Sequence, residues 1–302
     1  MGGVLDRAAT LFERRFLLNA FLPVLLLVGG GAAAALTGAG QMSTVFHWWS
    51  RLDGTGRGLA VLCALTLTWF AAGVMSSQFR NLTQLYEGYP LTRIPLLSGL
   101  GAALAERHFH TYEKWVGTPA RVNQADYAYP QGDRDIFLPT ALGNVLRSAE
   151  RYPHDRYGIP TTFLWPRLFY VTPEHFRRDI EEFRTDYEWL LGVSFLSAVT
   201  AAASGIVLIA VGAPWWLFAA TFGGGCLLSL LAYRASVAAA EEYGAQLRAG
   251  VDLYRTEVLV RLRWDVPSDL AAERHTWEMV RRFHVSGEAH GQRYPPYEPP
   301  PA

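Results

Sequence analysis

Four stretches of this chain run for about twenty residues with no charged side chain and no histidine, and they constrain the fold more than any other feature. They are FLLNAFLPVLLLVGGGAAAALTG (16–38), GLAVLCALTLTWFAAGVMSSQ (58–78), WLLGVSFLSAVTAAASGIVLIAV (189–211) and PWWLFAATFGGGCLLSLLAY (214–233). Each is as long as the ~20 residues an α-helix needs to cross the hydrocarbon core. A helix buried in a soluble protein rarely stays uncharged for that length, so the runs predict four membrane spans. The first is longer than the apolar region of a secretory signal, and no convincing cleavage site precedes a soluble domain, so it reads as a retained span.

Orientation follows from the basic residues. Of the 27, three lie in the leader up to residue 15, two between 39 and 57, thirteen between 79 and 188, and nine from 234 onward. Twenty-five therefore fall on one side, which the positive-inside rule makes cytoplasmic. Both termini are expected inside a bacterial cell membrane. Only one basic residue, Lys114, is a lysine, a bias that points to a GC-rich bacterial genome. Trp48, Trp49, Trp215 and Trp216 then fall at the outer interface and Trp189 at the inner one. Cys63 and Cys226 both lie in apolar runs, which indicates neither a disulfide framework nor a zinc site.

The expected fold is all-α: four spans carrying a helical cytoplasmic domain built from the 79–188 insertion and the C-terminal tail. In order, the chain divides into a cytoplasmic leader (1–15), a transmembrane hairpin (16–78), the cytoplasmic helical domain (79–188), a second hairpin (189–233), cytoplasmic amphipathic helices (234–285) and a disordered proline-rich tail (286–302). Small residues in GGGAAAA, at Ser197, Ala201 and Gly205, and in GGG at 223–225 predict close packing between spans, within one chain or between copies.

Helical signals continue past the membrane. After the second span FRNLTQLYEGYP runs without a breaker to Gly88 and Pro90, adding roughly 15 Å. Thr172 as N-cap, Pro173 at the first helical position and Glu174 in the first turn start a helix that can enter the third span unbroken. Ala240, Tyr243, Leu247, Val251, Tyr254, Val258 and Leu262 form one apolar stripe, with Arg248 and Asp252 paired on its wet side. Ser268 is the expected cap of a helix ending near residue 284. Further helices are predicted over about 96–116 and about 140–151, with RVNQADYAYPQGDRD as a loop between them.

The densest concentration of chemistry is RYPHDRYG, residues 151–158, set in LGNVLRSAERYPHDRYGIPTTFLWPRL. The spacing predicts a helix that ends at Pro153, followed by a tight loop closed by Gly158 and Pro160. Arg147, Glu150, Arg151, Asp155 and Arg156 can form an ion-pair network there, with Tyr152 and Tyr157 stacked beside it. The functional alternative makes Arg147, Arg151, Arg156 and Arg167 an anion or phosphate pocket with Trp165 as a wall, since guanidinium groups suit planar, bidentate pairing. Counting back from Trp189 to Thr172 puts the loop roughly 25 Å from the membrane surface, which favours a soluble partner over lipid headgroups.

Other chemistries find less support. His108 and His110 are two apart on a predicted helix and point to different faces, so no metal site is expected. No phosphate-cradling loop, nucleophile elbow or paired-histidine zinc motif is present, no cofactor is expected, and the chain reads as leaning away from catalysis. Ionisable groups are missing from the spans, which disfavours ion-coupled transport. Thr66, Thr68, Trp69 and Phe70 remain candidates for a narrow pore lining in the second span. Equal totals of acids and bases give no global pull toward nucleic acid.

At residues 142–168, with RYG and LWPRL, and again at DLYRTEVLVRLRW (252–264), the chain resembles uncharacterised bacterial multi-pass membrane proteins. That resemblance implies no activity. The layout of spans and helical domain is similar to that of bestrophin-type anion channels in topology only, which implies a pore without assigning its residues. The expected function is thus a non-enzymatic, oligomeric interaction or regulatory protein that binds a cytoplasmic protein or an anionic ligand. A channel lined by the second span is the alternative, and a membrane-bound enzyme for a phosphorylated substrate is a weaker one.

Overall fold

The computed structural model of the chain describes residue 16 and residues 20–286. The expected leader (1–15) and all but the first residue of the expected proline-rich tail lie outside the described residues. Among the described residues the chain is helical, with no strand. The helices are α1 (Leu22–Gly38), α2 (Met42–Arg51), α3 (Gly54–Ser77), α4 (Phe79–Tyr86), α5 (Tyr89–Arg93), α6 (Pro95–Val116), α7 (Val122–Ala128), α8 (Ala141–Tyr157), α9 (Thr161–Val171), α10 (Glu174–Ala210), α11 (Trp215–Phe218), α12 (Gly224–Arg261) and α13 (Leu270–Arg281). Among the described residues the chain forms two compact units, one from those up to 84 with 186–236, the other from 85–185 with 237–286. Helices α10 and α12 each contribute residues to both.

Three helices are long and apolar enough to cross a membrane: Gly54–Ser77, Glu174–Ala210 and Trp215–Arg261. A membrane location follows from their length and composition. The fourth candidate is a bent pair: α1, within the first apolar run, is followed by α2 at a bend of 109°, and the count reaches four if the two are taken as one broken span. Gly40, at φ 65°, supplies the left-handed turn between them. The expected outer loop 39–57 is therefore largely helical. Helical spacing puts Met42, Val45, Phe46 and Trp49 on one face of α2 and Ser43, Thr44, His47, Ser50 and Arg51 on the other. The Arg57 guanidinium, in the first turn of α3, donates to the Trp49 and Ser50 carbonyls at 3.3 and 3.4 Å, holding the end of α2. Asp53 caps α3 by accepting the Gly56 N–H at 2.8 Å.

Small residues set the helix spacing in this unit. A Cβ built on Gly225 would lie 2.6 Å from the Ala201 Cβ, and one on Gly31 would lie 2.2 Å from the Thr200 methyl, so α12 and α1 both approach α10 at backbone distance. The Ser194 hydroxyl donates across to the Ser229 carbonyl at 2.9 Å. Of the most apolar windows, 6% is buried in Gly54–Ser77 and in Trp215–Arg261, against 33% in Glu174–Ala210.

The second unit has a true core. Ile159, Phe163, Leu164 and Leu168 pack against Val251, Val258 and Leu259 of α12 and against Trp277 and Val280 of α13. The stripe on α12 is thus covered: Ala240, Leu247, Val251 and Val258 are buried, and Tyr254 and Leu262 pack at the margin. Phe176 lies against Gly250, where a Cβ would meet its ring at 2.7 Å. Four local expectations are corrected. Residues 122–128 form α7 rather than a loop. Helix α8 passes through Pro153 and ends at Tyr157. The cap of α13 is Asp269, which accepts the Ala271 and Ala272 N–H groups at 2.9 Å, and not Ser268. Thr172, the expected N-cap of α10, ends α9 instead and turns its hydroxyl back to the Phe169 carbonyl at 3.2 Å.

Candidate functional site

The site is built around α8. Thr140 caps its start by accepting the Gly143 N–H at 3.0 Å. The fully buried Asn144 side chain accepts the Leu138 N–H at 2.9 Å and donates to the Leu138 and Thr140 carbonyls at 2.8 Å, fixing the entry turn. At the other end a proline should cost ~3 kcal/mol of helix stability. Several bonds offset it. Arg151 grips Asp155 through two bonds, Nη2 to Oδ1 at 3.0 Å and Nε to Oδ2 at 3.3 Å. Gly158, at φ 74°, ends the helix in the left-handed region, and its N–H reaches the His154 carbonyl at 2.8 Å. Arg274 donates to the Asp155 and Arg156 carbonyls at 3.3 and 2.9 Å. RYPHDRYG is thus the last two turns of a helix with its exit, not a loop.

Only part of the expected ion-pair network forms. Asp155 pairs with Arg151 and with His154. Tyr152 and Tyr157 meet edge to face, ring centres 6.2 Å apart, and both hydroxyls donate to Asp252 on α12, at 2.9 and 2.7 Å. Burial and the Asp252 carboxylate hold both phenols above their ordinary range. The Arg255 guanidinium lies 3.9 Å from the Tyr157 ring centre and pairs with the buried Glu273 on α13, Nε to Oε1 at 2.8 Å. Trp277 Nε1 donates to the same oxygen at 3.4 Å.

Arg147 and Glu150 belong to a different cluster. Arg147 donates to the Tyr89 hydroxyl at 3.2 Å. Burial and the neighbouring Glu150 push the Glu87 carboxyl up to about 7, against the opposing pull of Arg147. Burial also raises Glu150. Arg167 is elsewhere again: its guanidinium lies 3.7 Å from the Phe163 ring centre, and it lines a cavity of about 390 Å³ with Arg261 and Tyr170. Trp165 packs, partly buried, at the edge of the core. Arg147 and Arg167 thus lie apart from Arg151 and Arg156, which line neighbouring cavities that share Gln131, Asp155 and Arg274.

What assembles instead is a polar cavity of about 400 Å³ between α7, the end of α8, α12 and Arg274 of α13. Arg248 is its centre. The expected pairing of Arg248 with Asp252 does not form: its Nη2 donates to the Asp126 carbonyl at 2.6 Å and to the Ser148 hydroxyl. The guanidinium lies between two rings, 4.8 Å from Tyr127 and 5.2 Å from Tyr152. Asp252, Arg248, Arg255, Glu273 and Arg274 were not expected at the site. Asp252 follows the buried Val251 directly, and that flank of the stripe was the available signal.

His108 and His110 point apart. His108 faces the Tyr129 hydroxyl and His110 lies between Glu106 and Glu113. Among the described residues no group of three or more potential ligands could hold a metal ion. The pore candidates lie on α3. Thr66 donates to the Leu62 carbonyl of its own helix at 2.8 Å, and Trp69 and Phe70 are exposed on the chain.

No family model, curated protein or solved structure matches the chain at a significant level. The functional reading rests on geometry and composition.

Proposed function

We propose that this chain is a multi-pass protein of the bacterial cell membrane, with four spans and both ends in the cytoplasm. The helices of 79–188 and of the region after 234 then form a cytoplasmic binding unit, and the protein works without catalysis, as an oligomeric interaction or regulatory component. One observation carries the binding role: the charged residues at the end of α8 and on α12 enclose a polar cavity of about 400 Å³, within the usual size of ligand sites. Balanced charge supports a small ligand or a protein over nucleic acid. The test is hydrogen exchange of the full chain in lipid nanodiscs, with and without a cytosolic small-molecule fraction. Protection confined to residues 126–131, 148–156 and 245–252 is expected; exchange left unchanged there overturns the reading. For the orientation, a C-terminal tag should resist protease added to intact cells.

A second reading, a bestrophin-like channel, draws on the bare surface of α3, which it shares with the Trp215–Arg261 helix. Its apolar window is 6% buried within one chain, and Thr66, Trp69 and Phe70 lie on it, as a pore shared between copies would need. Conductance of the purified protein in planar bilayers, with a single-channel size increased by Trp69→Ala, would establish this reading in place of the first.

A further inference from the structure

We propose that the cavity beside Arg248 is a binding site for a small soluble phosphate monoester, its phosphate group held by Arg156 and Arg248. This inference rests on the binding role above and names its ligand class.

The argument is a balance of donors and acceptors. Six charged side chains border the cavity, three acids and three arginines, so formal charge alone selects nothing. Their hydrogen-bonding capacity is not balanced. Asp252 already accepts from two tyrosine hydroxyls, and Asp155 from Arg151 and His154. Asp126 accepts from the Gln131 amide at 3.0 Å. The acids are thus occupied by partners of their own, and the arginines keep donors to spare. Arg248 uses Nη2 on a carbonyl and a hydroxyl, while its Nε is buried with no hydrogen-bond partner. Among the described residues Arg156 makes no ion pair or side-chain hydrogen bond, and it is exposed at the cavity rim. Arg274, committed through Nη2 to two backbone carbonyls, adds a third positive charge.

Surplus N–H donors from converging guanidinium groups call for an anion with several acceptor oxygens. A phosphate dianion supplies three and matches guanidinium geometry in a bidentate way, whereas a carboxylate supplies two. The remaining volume beside Tyr127 and Tyr152 leaves room for a small organic body. An ester is therefore a better fit than inorganic phosphate.

The test is calorimetric titration of the full chain in detergent micelles with glycerol 3-phosphate and, separately, with succinate. Saturable binding of glycerol 3-phosphate is expected, with little or none of succinate. Arg156→Gln, at an exposed position, should weaken it about tenfold or more while leaving the ligand-free melting temperature unchanged. Arg248→Lys, which keeps the charge and removes Nε, should also weaken it. If succinate binds as tightly, in an Arg156-dependent way, the ligand class is wrong and the anion-binding unit stands. If neither probe binds, both fall. Arg156-dependent binding to vesicles containing phosphatidic acid, with none to glycerol 3-phosphate, would move the source of the phosphate to lipid and overturn the soluble ligand. Binding of glycerol 3-phosphate that Arg156→Gln and Arg248→Lys leave unaltered would overturn the assignment to this cavity.

Discussion

Replacing Glu273 by leucine should be among the most damaging single changes in the helical unit, and the reason can be worked from one ion pair. Glu273 and Arg255 leave only 8% and 19% of their side chains exposed, and they bond at 2.8 Å. Glu273→Leu adds apolar volume but strands the guanidinium, which keeps its place on the Tyr157 ring and loses its counter-charge. Removing one partner of a buried pair costs about 3–5 kcal/mol. The lower end applies because Arg255 also donates to the Asp252 carbonyl and retains some solvent. With ~3 kcal/mol lost from a unit of this size, the melting temperature of the full chain in micelles, followed by circular dichroism, should fall by roughly 6–12 °C. The double variant Glu273→Leu/Arg255→Met replaces both charges with apolar groups and should recover most of that loss, because the penalty comes from the orphaned charge more than from the missing attraction. A single variant that melts within a degree or two of the parent, or a double variant that melts lower than the single, would refute the reasoning.

Glu87→Gln should change the pH dependence of stability: the fold favours the protonated carboxyl, raised from 4.5 to about 7, so the parent chain loses stability as pH rises across that interval. The full shift corresponds to about 3 kcal/mol and roughly 2 after allowance for solvent access, and thermal melts at pH 5 and pH 8 should show a smaller slope in the glutamine variant, with the raised Glu150 keeping part of it. Gly225→Val places methyl groups against the Ala201 Cβ, 2.6 Å from an ideal Cβ, and should cost about 1–3 kcal/mol in SDS-unfolding assays. Asp269→Ala should lower the melting temperature by removing the oxygen that accepts two N–H groups at the start of α13, while Ser268→Ala should leave it unchanged; equal effects would refute the cap assignment. If α2 lies along the bilayer surface, a nitroxide on Phe46→Cys should be relaxed by oxygen and one on His47→Cys by a water-soluble nickel complex, as measured by power-saturation EPR.

The legibility of this chain in its sequence divides along a physical line. Absence of charge over twenty residues is a local property, and it identified the apolar helices Gly54–Ser77, Glu174–Ala210 and Trp215–Arg261 without knowledge of any neighbour. Periodicity is nearly as local, and the stripe through Ala240, Leu247, Val251 and Val258 is buried as its spacing requires. Helix α2 was not legible, because the mixed polar and apolar residues after Gly40 read as the loop 39–57 between two spans. Pro153 misled for a different reason. The rule that proline ends a helix is a statement about one lost bond, and here the Arg151–Asp155 pair, Gly158 and Arg274 outweigh it, the last from 119 residues along the chain.

Arg248 carries the same lesson into the site. Helical spacing places it beside the buried Leu247, on the boundary of the stripe, where a long side chain can either reach water or turn inward. Its apolar stem tolerates burial, and its guanidinium can satisfy carbonyls, so the choice falls to whatever carbonyl is within reach. Here that carbonyl belongs to Asp126, 122 residues earlier, at the end of a helix that the sequence reads as a loop. A cavity formed where α7, α8, α12 and α13 converge depends on residues whose separation along the chain exceeds any helical period. The arginines of RYPHDRYG marked the right neighbourhood because one of its walls is local, and the opposite wall, carrying Arg248 and Asp252, became visible only when the helices were packed.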